Sequence, residues 1–364
     1  MLLQLRVRYV LTKSLVLKKE QVVGKKFLIL VFRVRALVIG AGAVGTKVSQ
    51  QLLASNSVDQ ITIRDISPEK LGTASKALSG RVTVEHFPFS QNMDADVVVI
   101  ASPRGTQLEA VKNSIRLRRP TVVVSDGLVE TVSILKLEEE AFNFKVPVAV
   151  GTGFAPGLSC VLAAYGKRML DEIDEIHVSK MGTGGPACAL VHHRALSRSS
   201  YGWRENRWDR RLGGSGRELL WFPEPVGPQD CYNASLADPI LLHHVFPKVS
   251  RISAKMAATR RDRFTAFFPM LTPPHSEGGV GAIRVELRGR KNGVQENIVL
   301  GVAERPAVAA ASVTALTVEF LLNKKIKTNY MSTLGLMVDP SEFLSELSKR
   351  SIDLQIFEGE KTTI

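Results

Sequence analysis

Three glycines and one acidic residue form the arrangement in this sequence that points most directly to chemistry. Gly40, Gly42 and Gly45 follow a short apolar run, and Asp65 lies 20 residues after the last of them. Gly40 permits a tight turn, Gly42 lets the backbone approach a pyrophosphate, and Gly45 allows a helix to pack closely on a strand. The start of that helix offers unpaired N–H groups to phosphate, and a carboxylate at residue 65 can accept from ribose hydroxyls. The spacing therefore predicts a dinucleotide site, to which Ala43 and Val44 also belong.

The neighbours of Asp65 bear on the choice between NAD and NADP. A carboxylate at this position repels the 2′-phosphate of NADP, which favours NAD. Arg64 and Ser67 stand beside it in the sequence and could accommodate that phosphate. We therefore expect NAD or NADP as the cofactor, with NAD slightly favoured.

Alternating strands and helices must hold this site in place. Strand-like apolar runs occupy residues 35–39, 60–65, 81–86, 96–101, 121–125 and 146–150. Helical patterns separate them, including one predicted over 132–143, which indicates a doubly wound parallel sheet of the Rossmann type. Ligands bind at the carboxyl ends of such strands. The residues expected around the cofactor are therefore Ala101, Ser102, Pro103, Ser125, Asp126 and Gly151.

A turn after the sixth strand carries a more specific signal. Gly153, Pro156 and Gly157 match a Gly-x-x-Pro-Gly turn at the start of a helix. Because of this turn and of a long helix of small residues over 304–322, the chain resembles the saccharopine dehydrogenase-like family, in particular a bacterial branch of it. The resemblance covers residues 34–165 and 280–358, and it implies that Pro156 and Gly157 lie next to the nicotinamide.

The same resemblance implies an enzyme, an NAD(P)-dependent oxidoreductase. It would transfer a hydride at an amine/imine or alcohol carbon of an amino-acid-like small molecule. Two departures from the family pattern favour an alternative, a nucleotide-binding regulatory or scaffold protein without catalysis. Ala155 stands where members acting on amino acids often carry Asp, and the acid–base Lys and His of lysine-forming members have no evident counterpart.

The chain divides by pattern into three parts. Residues 1–33 form an N-terminal extension, expected to be flexible or to be upstream sequence. Residues 34–170 and 303–358 form the dinucleotide-binding domain. Residues 171–302 form a second, mainly antiparallel α+β domain, inserted before the C-terminal helices, because its strand patterns include a hairpin signal at Asn292 and Gly293. In the family that the chain resembles, such a sheet is the substrate floor and the dimer surface, so we expect a homodimer.

Residues 182–231 combine glycine-rich loops with an unusual set of side chains. All three Trp and seven Arg fall in or near this segment. As a substrate site, His192, His193 or Tyr232 would serve as catalytic acid or base and Arg194 would clamp a carboxylate. The alternatives are a nucleic-acid surface and a solvated, Arg-rich excursion. Its glycine-rich ends suggest a mobile lid.

Composition limits the other classes of protein to which the chain could belong. The chain of 364 residues has a net charge of +13, but residues 1–33 carry eight basic residues and one acidic residue, so that the charge gives little support to nucleic acid as a partner. Three widely spaced Cys argue against a disulfide framework and fit a cytoplasmic protein. No third ligand accompanies His243 and His244, so no metal is predicted. Lys180 could act as a base only if it were buried, and it is expected to be exposed. The expected partner is a small-molecule substrate rather than a membrane.

Overall fold

The computed structural model describes residues 14–22, 25–87, 92–270, 274–276, 278–328 and 330–358. The first two strands, β1 (Ser14–Val22) and β2 (Lys25–Arg33), pair antiparallel in a sheet of their own. The described part of the extension therefore forms a hairpin by itself, and its flexibility stays a prediction. Residues 1–13, also part of that prediction, lie outside the described residues.

The first domain alternates strands and helices around a parallel sheet. Among the described residues, its strands are β3 (Arg35–Ile39), β4 (Gln60–Asp65), β5 (Thr83–His86), β6 (Val97–Ile100), β7 (Thr121–Val123), β8 (Val148–Val150) and β17 (Met331–Thr333). Its helices are α1 (Ala43–Ser55), α2 (Pro68–Ala77), α3 (Gln107–Arg116), α4 (Leu128–Leu135), α5 (Glu138–Phe144) and α6 (Leu158–Gly166). The strand order is β17–β8–β7–β6–β3–β4–β5, with every neighbouring pair parallel, so the predicted doubly wound sheet is confirmed.

The buried apolar runs explain this arrangement. The central strands β6, β7 and β8 are buried along their whole length, as strands covered by helices on both faces must be. The helix predicted over 132–143 is two helices in the structure. Three consecutive acids, Glu138, Glu139 and Glu140, occupy the first turn of α5, where negative charge stabilises a new helix start.

The second domain is a mixed sheet with helices on it. Among the described residues, its strands are β9 (Glu172–Met181), β10 (Ser200–Arg204), β11 (Arg207–Arg211), β12 (Glu218–Phe222), β13 (Gly227–Asn233), β14 (Arg251–Ala257), β15 (Gly281–Lys291), β16 (Val294–Glu304) and β18 (Gln355–Glu358). Its helices are α7 (Pro186–Ala195), α8 (Asp238–Val245) and α9 (Arg260–Thr265). Only β9 and β14 pair in parallel among the described strands of this sheet, which confirms its mainly antiparallel character.

The segment 182–231 is more regular than the sequence predicts. Instead of a loop-like excursion, it forms α7 and two hairpins, β10–β11 and β12–β13. The first hairpin turns at Glu205 and Asn206, which both have positive φ, at 50° and 62°. Trp203 and Trp208 face each other across it, with ring centroids 5.2 Å apart. The tryptophans at these two positions therefore stabilise the hairpin by packing on each other.

The C-terminal segment ties the two domains together. Helix α10 (Pro306–Leu322) packs on α1, and its small residues are buried because the two helices lie close together. Helices α11 (Leu334–Met337) and α12 (Pro340–Ser348) pack on α6. The last strand, β18, pairs with β16 and so joins the second sheet, whereas the sequence assigned it to the dinucleotide-binding domain. Within the described part of the chain, no helix is both long and apolar enough to cross a bilayer.

Candidate functional site

The glycine turn between β3 and α1 is held by close backbone contacts. Gly40 has a φ of 112°, and a Cβ at this position would lie 2.6 Å from the carbonyl oxygen of Ala101. A Cβ on Gly45 would lie 1.9 Å from the carbonyl oxygen of Gly40. A Cβ on Gly42, in contrast, would meet no described atom within 4 Å. Gly40 and Gly45 are therefore required by the fold, whereas Gly42 keeps open the space beside the turn.

The first turn of α1 is free to bind an anion. Among the residues that the structure describes, no side chain caps this helix start at Gly42. Its N–H groups, together with the positive end of the helix dipole, suit a phosphate group. The turn thus has the conformation and the donors that the sequence predicts for a pyrophosphate.

Asp65 joins the second strand to the glycine turn. Its carboxylate accepts from the backbone N–H of Ala41 at 2.8 Å and from that of Ser67 at 2.9 Å, and the residue lines the cleft described below. Each oxygen keeps a further lone pair, which a ribose hydroxyl can use. The position of Asp65 agrees with the predicted role.

Arg64 and Ser67 do not face the expected 2′-phosphate position. The Arg64 guanidinium is buried and donates to Glu85 at 2.7 and 3.0 Å. Ser67 caps α2 by accepting from the backbone of Lys70. Neither residue lines the cleft, so the interpretation of both as phosphate ligands is corrected. Lys70 does line the cleft, as do Arg104 and Lys180.

A cleft of about 370 Å³ runs from the glycine turn across the carboxyl ends of the parallel strands to the second domain. Eleven of the fourteen residues expected at or around the cofactor line it: Gly40, Gly42, Ala43, Val44, Asp65, Ala101, Ser102, Pro103, Ser125, Asp126 and Pro156. Gly151 does not line it. Gly45 is packed against Gly40, and Gly157 against the backbone of Gly153, so these two do not line it. Both glycines instead allow the close backbone packing behind the residues that line the cleft.

Two buried side chains position the loops at the strand ends. Glu130, on α4, accepts from the backbone N–H groups of Gly105, Gln107 and Leu108. The Gln107 amide donates to the carbonyl oxygens of Ser102 and Val124 at 2.8 and 3.1 Å. The loop after β6 is thereby fixed to the end of β7, and both form one wall of the cleft.

Four side chains with chemical function meet at the far end of the cleft. Asp126 follows β7, Lys180 lies on β9, and Cys188 and His192 lie one turn apart on α7. Lys180 is 3% exposed, and its Nζ donates to the carbonyl oxygen of Ala155 at 2.8 Å. The Cys188 Sγ lies 3.7 Å from the Nε2 of His192. The expectation that Lys180 is exposed is therefore wrong.

Burial controls the charges of this group. It raises the pKa of the Asp126 carboxyl, while the positive charge of Lys180 acts in the opposite direction. It raises the pKa of the Cys188 thiol to about 12. Burial, assisted by Lys180, holds the pKa of His192 well below its ordinary value, so this ring is neutral at pH 7. The charge of Lys180 acts on all three of these groups, and that of Arg104 acts on Asp126.

A second buried carboxylate lies behind this group. Asp238 at the start of α8 is fully buried, and its Oδ1 accepts from the Ser159 hydroxyl at 2.7 Å. Its Oδ2 has no hydrogen-bond partner among the described residues. Burial raises the pKa of Asp238, and Lys180 lowers it.

Of the predicted acid–base residues, only His192 lies in the cleft. His193 contacts the carbonyl oxygen of Phe268 through its Nε2, and Tyr232 is buried in the core of the second domain. Neither lines the cleft, so the geometry gives their catalytic assignment no support. At the sequence level Lys180 qualified as a base only if it were buried, and Cys188 was not singled out, although two signals were present. Lys180 shares a strand face with Ile176 and Val178, and Cys188 stands four residues before His192.

Arg194 lies outside the cleft but belongs to a group of three arginines at its edge. A second cavity of about 190 Å³ is lined by Arg104 and Arg198, and it shares Arg104 and Val191 with the cleft. The pKa of Arg198 is lowered by burial and by the charges of Arg104 and Arg194. Three cations that repel one another beside a cavity suit an anionic ligand.

Comparisons with known proteins agree with this geometry. A protein-family model described as "NADP oxidoreductase coenzyme F420-dependent" matches residues 35–126. L-lactate dehydrogenase of Lactobacillus delbrueckii subsp. bulgaricus is 25% identical in an alignment 172 positions long, which covers 42% of this chain and 56% of that relative's length.

Among solved structures, saccharopine dehydrogenase (L-Glu forming) of Saccharomyces cerevisiae superposes with a TM-score of 0.66 at 13% identity, over 89% of this chain and 100% of that one. The chain therefore has the fold of saccharopine dehydrogenase, a Rossmann-type parallel-sheet domain with a second sheet domain. This confirms the fold that the sequence resemblance implied.

Two glycine substitutions separate binding from folding. Gly42→Trp fills open space beside the turn, so we expect an unchanged melting temperature and the loss of NADH and NADPH binding, measured by nicotinamide fluorescence. Gly45→Ala places a methyl group against Gly40 and should cost roughly 1–3 kcal/mol of unfolding free energy. A Gly42→Trp protein that folds and binds either cofactor as the wild type does would contradict this assignment of the cleft.

Proposed function

We propose that the protein is an NAD(P)-dependent oxidoreductase acting on a small, amino-acid-like molecule that bears a carboxylate. Hydride transfer would take place at an amine/imine or alcohol carbon. The observation that carries this proposal is the continuity of one cleft, which begins at the glycine turn and ends at Lys180, Asp126, Cys188 and His192. A dinucleotide whose pyrophosphate lies at the turn would direct its nicotinamide toward these residues.

The cleft fits the cofactor in shape and in donors. The open space at Gly42, the uncapped helix start and the Asp65 carboxylate match a pyrophosphate and a ribose. The nicotinamide, when bound, supplies or accepts the hydride. NAD remains slightly favoured because Asp65 lines the cleft while Arg64 is engaged with Glu85; Lys70 is the residue that could receive a 2′-phosphate.

Lys180 is the residue best suited to move a proton. Its buried ammonium group lines the cleft, and the hydrogen bond to the carbonyl of Ala155 orients it. When substrate is reduced, Lys180 would donate a proton to the nitrogen or oxygen on the reacting carbon; in the reverse direction it would accept that proton.

The three arginines beside the cleft are the reason for proposing that the substrate bears a carboxylate. Arg104, Arg194 and Arg198 form no ion pair with any acid in the described part of the chain, and their cavity opens beside the cleft. Saccharopine dehydrogenase and lactate dehydrogenase act, by their names, on molecules that carry carboxylates, one an amino acid and the other a hydroxy acid. Both reaction types therefore stay within the proposal.

The alternative function, a nucleotide-binding protein without catalysis, receives less support. It predicts a cleft blocked by bulky apolar side chains, whereas this cleft ends at titratable groups. The homodimer and the cytoplasmic location remain predictions from the sequence.

A turnover screen tests the proposed function. The full chain is incubated with NAD⁺ or NADP⁺ and with panels of 2-amino acids and 2-hydroxy acids, and nicotinamide absorbance is followed. We expect turnover with at least one carboxylate-bearing substrate, and none with the Gly42→Trp variant. Folded protein that binds neither cofactor would overturn the proposal, and cofactor binding without turnover of any panel member would favour the regulatory alternative.

Substitution of Lys180 tests its role in proton transfer. Lys180→Arg keeps the positive charge beside Asp126 but removes a group that can give up its proton. We expect unchanged cofactor binding and a loss of kcat of about 10²-fold or more. Lys255→Arg, on the neighbouring strand and paired with Glu218, is the matched control and should retain the wild-type kcat. Wild-type turnover by Lys180→Arg would exclude lysine as the proton donor.

The arginine group should act on substrate affinity. We expect Arg198→Gln to raise KM about tenfold or more, because a charge-assisted hydrogen bond to the carboxylate is lost, with kcat and cofactor binding unchanged. Arg204→Gln removes an arginine that pairs with Glu205 away from the cleft, and its KM should match the wild type. Equal KM values for the two variants would place the substrate carboxylate elsewhere.

A further inference from the structure

Three side chains at the far end of the cleft have the chemistry of metal ligands. Asp126, Cys188 and His192 each offer one ligand atom, and these three atoms lie within 4.8 Å of one another. The Cys188 Sγ and the His192 Nε2 are 3.7 Å apart. In a tetrahedral zinc site, the known Zn–S and Zn–N bond lengths place sulfur and nitrogen about 3.6 Å apart. Two of the ligands therefore already have the required separation.

The local fold presents these side chains on one side of the cleft. Cys188 and His192 are four residues apart on α7, so they lie on the same face, one turn above the other. Asp126 follows a strand of the first domain and meets that face from the opposite wall. All three residues line the cleft, which gives a metal ion a path of entry and leaves a coordination position directed toward the cleft.

A second buried carboxylate lies behind the three ligands. Asp238 is fully buried, and its Oδ2 has no partner among the described residues. The positive charge of Lys180 acts on both Asp126 and Asp238, and that of Arg104 acts on Asp126 as well. Buried carboxylates persist where cations compensate them, and a metal ion bound at Asp126 would add to this compensation.

Backbone contacts hold the two helical ligands in place. The ring of His192 has a backbone hydrogen bond with Gly182, and Cys188 has one with Gly184. Ligating histidines commonly use one ring nitrogen for such a bond, which orients the other toward the metal. The glycine-containing segment before α7 therefore orients both of these ligand side chains.

We propose that Asp126, Cys188 and His192 bind one Zn²⁺ ion, with the fourth position open to the substrate. A mixed oxygen, sulfur and nitrogen ligand set of three protein groups is typical of catalytic zinc. Binding exchanges the thiol proton of Cys188, released to solvent, for the metal–sulfur bond, and no electron is transferred. The role of the ion, polarising the substrate oxygen or nitrogen during hydride transfer, rests on the proposed function; its binding does not.

Metal analysis of the full-length protein tests the site directly. Apo protein prepared with a chelator is incubated with ZnCl₂, freed of excess metal and analysed by mass spectrometry. We expect about one zinc ion per chain. Cys188→Ser and His192→Ala should lose most of this zinc, whereas the controls Cys231→Ser and His193→Ala, whose side chains lie outside the cleft, should retain it. Circular dichroism verifies that every variant is folded.

Cobalt gives a second measurement that does not depend on activity. Co²⁺ added to the apo protein should produce the absorption of a tetrahedral site with a thiolate-to-metal charge-transfer band, and Cys188→Ser should abolish that band. Zinc that is absent from the folded wild type, or retained in full by Cys188→Ser, would overturn the proposal, and so would a cobalt spectrum without the charge-transfer band. In those cases the contact of Cys188 with Asp126 is a thiol–carboxylate hydrogen bond.

The two proposals fail separately. Wild-type protein that binds NADH or NADPH but no zinc would overturn the metal site and leave the oxidoreductase proposal standing. Zinc bound by protein that binds neither NADH nor NADPH would establish the metal site and overturn the oxidoreductase proposal.

Discussion

Helix α1 lies directly against the turn that connects it to β3, and this contact determines where a dinucleotide can bind. Only a residue without a side chain fits where Gly45 meets the carbonyl of Gly40, and the same holds where Gly40 meets Ala101. The Asp65 carboxylate then closes the turn by accepting from the N–H of Ala41. Helix α10 covers α1 from the other side, so the C-terminal segment also depends on this close packing. Because the backbone is compact here, space and N–H donors remain at Gly42.

The chemistry of the site depends on both domains. Asp126 and Ala155 come from the strand ends of the first domain, whereas Lys180 and the helix with Cys188 and His192 come from the second. The hydrogen bond from Lys180 to the Ala155 carbonyl connects the two walls. It also gives Ala155 a part in the site through its backbone, although the family pattern often has a carboxylate side chain there. The departure that made catalysis doubtful at the sequence level is thus accompanied by a lysine at the same place.

The sequence predicts the first domain well because its signals are local. The apolar strands and the glycines of the turn fix local conformation within a few residues, and Asp65 follows at the end of the next strand. The far end of the cleft depends on long-range contacts, since 62 positions separate Asp126 from Cys188. Lys180 and the pair Cys188–His192 had usable periodicity, but a charged residue in a strand is ordinarily assigned to solvent. The hairpin at Glu205 and Asn206 was missed because neither residue is glycine, the usual signal for positive φ.

The proposed function requires that one bound dinucleotide spans the cleft from the glycine turn to Lys180. A crystal structure of the full chain with its preferred reduced cofactor tests this most directly. We expect the pyrophosphate at the backbone of Gly42 and the first turn of α1, and the nicotinamide ring in contact with the group formed by Lys180, Asp126, Cys188 and His192. A dinucleotide bound at the turn with its nicotinamide ring outside the cleft, or bound at another surface, would contradict it.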